Sequence, residues 1–106
     1  MTKLPAPKEA DIRRLVTDFL RLNGWFVYYL LQGLGSYPGL PDLIATKAGR
    51  TIHIELKRPG GKQRPHQREF QRRLEEAGGT YLLVAGLEDI EHLGRGKFVR
   101  TIDFDN

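Results

Sequence analysis

Residues 41–57 read Pro41-Asp42-Leu43-Ile44-Ala45-Thr46-Lys47-Ala48-Gly49-Arg50-Thr51-Ile52-His53-Ile54-Glu55-Leu56-Lys57. Two strand-forming runs, Leu43 to Thr46 and Thr51 to Lys57, flank the turn tetrapeptide Lys47 to Arg50, so the stretch predicts a β-hairpin with antiparallel arms. The two-residue period of a strand turns Ile52, Ile54 and Leu56 to one face and His53, Glu55 and Lys57 to the other. One face is core and the other polar. Pairing across the turn also carries Asp42, just ahead of the first arm, toward the Glu55 end of the second.

Upstream, Pro5 and Pro7 open a segment in which Ile12, Leu15, Val16, Phe19 and Leu20 recur at helical spacing, and Gly24 is placed to stop it. Trp25 to Leu31 is aromatic and β-branched at alternate positions of both parities, which predicts a strand covered on both sides. Gln32 to Pro41, with Gly33, Gly35, Pro38 and Gly39, reads as a mobile loop. Downstream, Arg58 to Lys62 breaks the chain, and Phe70, Leu74 and Ala77 mark the buried stripe of a second helix ended by Gly78 and Gly79. Tyr81 to Ala85 predicts a buried strand, Leu87 to Leu93 one short helix, and Phe98 to Phe104 a last strand. The order α-β-β-β-α-β predicts an α/β fold with a mixed β-sheet flanked by helices. At 106 residues, positions 1–106 are expected to form a single stand-alone domain.

Composition narrows the chemistry. The absence of cysteine excludes disulfides, thiolate metal sites and cysteine nucleophiles, so any metal must use oxygen or imidazole. No apolar run approaches the roughly 18 residues needed to span a bilayer, and the N-terminus lacks the hydrophobic segment of a secretory signal. A cytoplasmic location and no membrane partner are the expectations. The net charge of +4 is unevenly spread. From Lys57 to Arg73 seven cations face one acid, Glu69, which makes that stretch +6 and the remainder −2. Such a concentration points to a nucleic-acid or phosphate footprint, although a charged solvated face has the same appearance.

Glu55 and Lys57 lie side by side on the polar face of their strand, within reach of one phosphate. Read alone, Glu-x-Lys is a surface ion pair. The approach of Asp42 changes that, because converging carboxylates repel unless a cation lies between them, and oxygen ligands suit a hard ion such as Mg²⁺ or Mn²⁺. Two more polar residues fall in line with apolar stripes. Glu9 precedes Ile12 by three and Val16 by seven, and Gln67 stands in the same relation to Phe70 and Leu74. Each is also compatible with a first-turn residue that bends out to water, and Glu9 with the helix dipole.

The combination of Gly39-Leu40-Pro41-Asp42-Leu43-Ile44, Ile54-Glu55-Leu56-Lys57-Arg58-Pro59, Gln67 and Phe70 resembles the virus-type replication-repair nuclease (VRR-NUC) domain of the PD-(D/E)xK nuclease superfamily, over residues 8 to 85. The resemblance implies the restriction-endonuclease-like core and a metal-dependent phosphodiesterase acting on DNA. It implies Asp42 and Glu55 as ligands of Mg²⁺ or Mn²⁺, with the Leu56 backbone carbonyl completing the protein's share. Lys57 would stabilise charge on the attacked phosphate or orient the water. Gln67 would position Lys57, water or substrate, and Glu9 would support the metal shell or a second ion. The nearer analogues are the compact viral and bacterial members, which resemble homodimeric resolvases of branched DNA such as Holliday junctions, in a bacterial cell or phage-infected host.

Arg58, Lys62, Arg64, Arg68 and Arg72 adjoin this site in sequence and are expected to clamp flanking phosphates. If about six phosphates are neutralised, log affinity falls against log salt with a slope near −5. Tyr37, in the glycine loop, suits stacking on a flanking base, but also a plain surface loop. That loop lacks the Gly-Lys-Ser/Thr ending of a P-loop, so no nucleotide cofactor is expected. His53, His66 and His92 lack metal spacing. Ser36, the only serine, has no triad partners to recommend it. The alternatives to a structure-specific endonuclease are a catalytically inactive basic nucleic-acid-binding module on a nuclease fold, and a nuclease for duplex, single-stranded DNA or RNA.

Overall fold

A computed structural model describes residues 7–94. Its elements are α1 (Glu9–Leu22), β1 (Phe26–Tyr29), β2 (Leu43–Lys47), β3 (Arg50–Leu56), α2 (Pro65–Glu76) and β4 (Thr80–Val84), followed by two 3₁₀ turns, Leu87–Asp89 and Glu91–Leu93. The four strands form one mixed sheet in the order β1-β2-β3-β4. β1 with β2 and β2 with β3 are antiparallel, and β3 with β4 is parallel. A parallel neighbour needs a crossover, which α2 supplies.

The hairpin forms with antiparallel arms as its sequence predicts, but each arm runs one residue further into the turn, with Lys47 opposite Arg50, and β3 ends at Leu56 rather than Lys57. Its two loop residues, Ala48 and Gly49, have φ of 52° and 80°, the paired positive angles of a type I′ turn whose twist matches the strands. That register sets Leu43 against Ile54, so the next pair outward is Asp42 and Glu55. The Asp42 N–H donates to the Ile54 carbonyl at 3.0 Å and its carbonyl accepts from the Leu30 N–H at 2.9 Å. Asp42 is thereby clamped between the segment that follows β1 and strand β3.

The core lies on the α1 face of the sheet. Ile12, Val16 and Leu20 of α1 pack with Val27, Leu43, Ala45, Ile52, Ile54, Leu56 and Val84. Trp25 joins them and donates its indole N–H to the Leu93 carbonyl at 3.2 Å, fastening the C-terminal turns. α2 takes the opposite face, where its Phe70 ring lies against His53 and Tyr81.

Several expectations need correction. β1 is shorter than Trp25 to Leu31 and is an edge strand covered on one side only. Val27 is buried while Phe26 is 68% exposed and Tyr28 and Tyr29 are each nearly half exposed, because α2 covers the other end of the sheet. β4 likewise leaves Leu83 exposed. Leu15 falls off the inward stripe of α1 and is 48% exposed. α2 buries no residue fully, with Phe70 and Leu74 half-buried and Ala77 exposed. Leu87 to Leu93 forms two 3₁₀ turns rather than one helix. The strand expected over Phe98 to Phe104 lies outside the described residues. No helix among the described residues is long and apolar enough to cross a membrane.

Candidate active site

Asp42, Glu55, Lys57 and Gln67 converge at the end of the hairpin where β2 begins and β3 ends. Glu55 is the centre of the group, a carboxylate on the polar face of β3 that is only 2% exposed. Its Oε2 accepts from Gln67 Nε2 at 2.6 Å and lies 3.4 Å from Lys57 Nζ. Its Oε1 is buried with no hydrogen-bond partner. Burial first, and the neighbouring Asp42 charge second, push the Glu55 carboxyl up to about 7 against the attraction of Lys57. An oxygen so placed is costly unless something electropositive meets it.

Asp42 completes the acidic pair. Its Oδ2 accepts from the Leu56 N–H at 2.7 Å, and its Oδ1 faces Arg13 Nη2 at 3.4 Å. Leu56, the third expected contributor, is therefore tied to Asp42 through its backbone, between Glu55 and Lys57.

Gln67 is oriented by the helix that carries it. Pro65 starts α2, a position where its missing N–H costs nothing. The Arg64 N–H, one residue outside the helix, donates to Gln67 Oε1 at 2.8 Å. With the amide oxygen fixed as acceptor, the NH₂ group must point away, and it meets Glu55. The same residue thus caps a helix and holds a buried carboxylate.

The loop before β2 is also pinned to α2. Gly39 has φ of 80° and lies so close to the His66 carbonyl that a Cβ would overlap it. This contact, invisible in the sequence, sets the path into Pro41 and Asp42.

Other expected residues are placed differently. Glu9 does not extend the buried stripe; it stands exposed in the first turn of α1, and reaches Glu55 only through its charge, the last of the influences that raise that carboxyl. Arg58, Lys62, Arg64 and Arg68 are exposed and make no ion pair among the described residues. Arg72 is committed elsewhere on α2, pairing with Glu69 at 2.6 Å and Glu76 at 2.7 Å. His53 lies on the Glu55 face but is packed against Phe70, with its Nδ1 buried and unpartnered.

Arg13 was not anticipated. It lies one helical turn after Glu9, with its guanidinium 5.5 Å from the centre of the Tyr29 ring and extended to Asp42. Thr17, a further turn along, meets the Tyr29 hydroxyl at 3.1 Å. The i, i+4 spacing of Arg13 and Thr17 was the available signal, but it does not say which flank of α1 overlooks the sheet end.

A solved VRR_NUC domain superposes on this chain with a TM-score of 0.71 at 24% sequence identity, covering 83% of this chain and 95% of that one. The fold is that of a VRR_NUC domain. No protein-family model matches the sequence, and no curated protein matches it. The acidic pair, Lys57 and Gln67 gather at one end of the sheet.

The donor set suits a divalent cation. No group of three or more His, Asp and Glu residues is arranged to hold a metal ion among the described residues, so the protein's share would be two carboxylates and backbone. That would leave coordination positions open to water, which a small hard cation keeps. The unpartnered Oε1 of Glu55 is the oxygen such a cation would satisfy.

Proposed function

We propose that this chain is a Mg²⁺- or Mn²⁺-dependent endodeoxyribonuclease of the VRR-NUC family that hydrolyses phosphodiester bonds in branched DNA. The observation that carries the reading is Glu55, buried beside a second carboxylate with one oxygen unsatisfied, at the sheet end of a nuclease fold. Asp42 and Glu55 would hold the cation, with the Leu56 carbonyl beside them. When bound, a divalent cation supplies charge neutralisation for the phosphate and a lowered pKa for water.

The chain's own residues do the rest. Lys57 reaches the site from the strand end as a compact positive charge, suited to the negative charge that grows on the attacked phosphate. Gln67 fixes the Glu55 carboxylate and hence the direction in which Oε1 is offered. Glu9 adds negative charge near the entrance of the site. Arg58, Lys62, Arg64 and Arg68, exposed and free of ion pairs among the described residues, would hold phosphates along the backbone, while Arg72 would contribute only if its acidic partners release it. One site cuts one strand per event, so symmetrical resolution of a junction calls for a homodimer.

Cleavage of a four-way junction, a flap and a plain duplex, with and without Mn²⁺, tests the reading. Cutting that needs the metal and is lost in Asp42→Ala and Lys57→Ala is expected, with the junction or flap preferred. Equal DNA binding by all forms with no cutting would make the chain a binding module instead. Sedimentation of the chain with and without junction DNA tests the dimer.

A further inference from the structure

A cavity of about 300 Å³ opens beside the candidate active site between the glycine loop and α2, lined by Tyr37, Pro38, His66, Glu69, Phe70 and Arg73. Its volume is at the low end of ligand sites, enough for one small planar group. Aromatic surface dominates. Tyr37 and Phe70 meet at a steep angle with ring centres 5.9 Å apart, and Tyr37 keeps 53% of its surface exposed. His66 adds a third ring.

The cavity is joined to the scissile end of the site through two short connections. His66 precedes Gln67, whose amide holds Glu55, and Phe70 lies against His53 on the same face of β3 as Glu55. Gly39, pressed on the His66 carbonyl, keeps the Tyr37 loop seated against α2 and so keeps the cavity formed. The polar edge is charged on both sides, with Arg73 Nε 3.1 Å from Glu69. Arg72 and Arg73 hold the Glu69 carboxyl down to about 2, so it is an ionised hydrogen-bond acceptor. Of the cationic stretch from Lys57 to Arg73, Arg73 lines the cavity.

A small cavity lined by aromatic rings, with a charged donor and acceptor at its rim, has the parts that recognise a nucleobase out of its stack. We propose that this cavity takes one unpaired base of the DNA, stacked on Tyr37, and that this selects branched or flapped substrates over paired duplex. The inference rests on the nuclease reading for the placement of the scissile phosphate beside the cavity. A fully paired base cannot enter without being flipped, which costs a few kcal/mol.

The test uses the full chain in EDTA, where binding is read without cutting, and DNA carrying 2-aminopurine either at an unpaired flap position or within the paired duplex. Quenching of the unpaired probe on saturation is expected, together with tighter binding of the flapped DNA. Tyr37→Ala should reduce the preference for flapped over paired DNA by at least about 5-fold, and Tyr37→Phe should retain it. Since Tyr37 is exposed, neither variant threatens the core. No quenching, or an equal loss of preference in both variants, would overturn the base site. Cleavage of the same DNAs in Mn²⁺ separates the two ideas. Cutting without quenching overturns the base site and keeps the nuclease, whereas quenching without cutting supports the base site and overturns the nuclease.

Discussion

Glu55 holds a proton in the folded, metal-free protein over a range of pH in which the unfolded chain has already lost it. Its carboxyl ionises near 7 in the fold against 4.5 otherwise, because burial and Asp42 oppose the charge. The native state therefore binds more protons between these values, and the stability of the protein in EDTA falls as pH rises from about 4.5 to about 7, by up to about 3 kcal/mol. Denaturant unfolding across that range should show the fall, and Glu55→Gln should flatten it. Arg13 gives a second outcome at this scale. Its guanidinium occupies Asp42 Oδ1, so a cation must compete with it, and Arg13→Gln should tighten divalent binding by a few-fold, as expected for a half-exposed pair. Calorimetry would read the change, and weaker binding would instead make Arg13 a support of Asp42. The convergence of Asp42 with Glu55 and Lys57 was legible in the sequence from the hairpin pairing and the strand period, and the inward setting of Gln67 from the helical stripe. Arg13 and the exposed setting of Glu9 were not, since they depend on how α1 crosses the sheet.

The hairpin shows why some elements read cleanly. Both arms and the turn were foreseen from alternation and a short polar break, and its register alone brings Asp42 opposite Glu55. Ala48 is its one costly residue, a Cβ-bearing side chain at φ 52°, and Ala48→Asn should raise stability by about 0.5–1 kcal/mol, seen as a higher Tm. Gly39 presents the opposite case. Gly39→Ala adds a methyl against the His66 carbonyl at positive φ, and a loss of about 2 kcal/mol or more is expected, with weaker divalent binding because the path to Asp42 shifts. An unchanged Tm would mean that the loop is free of α2. The edge strands were the less legible elements, since aromatic strand residues look the same whether one face or two are covered, and only the position of α2 decides.

At the scale of the molecule, the charge distribution was visible from composition but its usable part was not. Arg72 and Arg73 are drawn into ion pairs with Glu69, and Arg72 also with Glu76. Arg58, Lys62, Arg64 and Arg68 remain, so the slope of log affinity against log salt should lie near −4 rather than −5. Binding of junction DNA at several salt concentrations in EDTA checks this, and a slope near −1 would remove the phosphate footprint. Asp42 and Glu55 converge at one end of the sheet, and the proposed activity depends on the pair acting together on one ion. Calorimetric titration of Mn²⁺ into the wild-type chain, Asp42→Asn and Glu55→Gln is the most direct test. Saturable uptake by the wild type that disappears in both variants is predicted. No uptake by the wild type, or uptake that survives both substitutions, would contradict it.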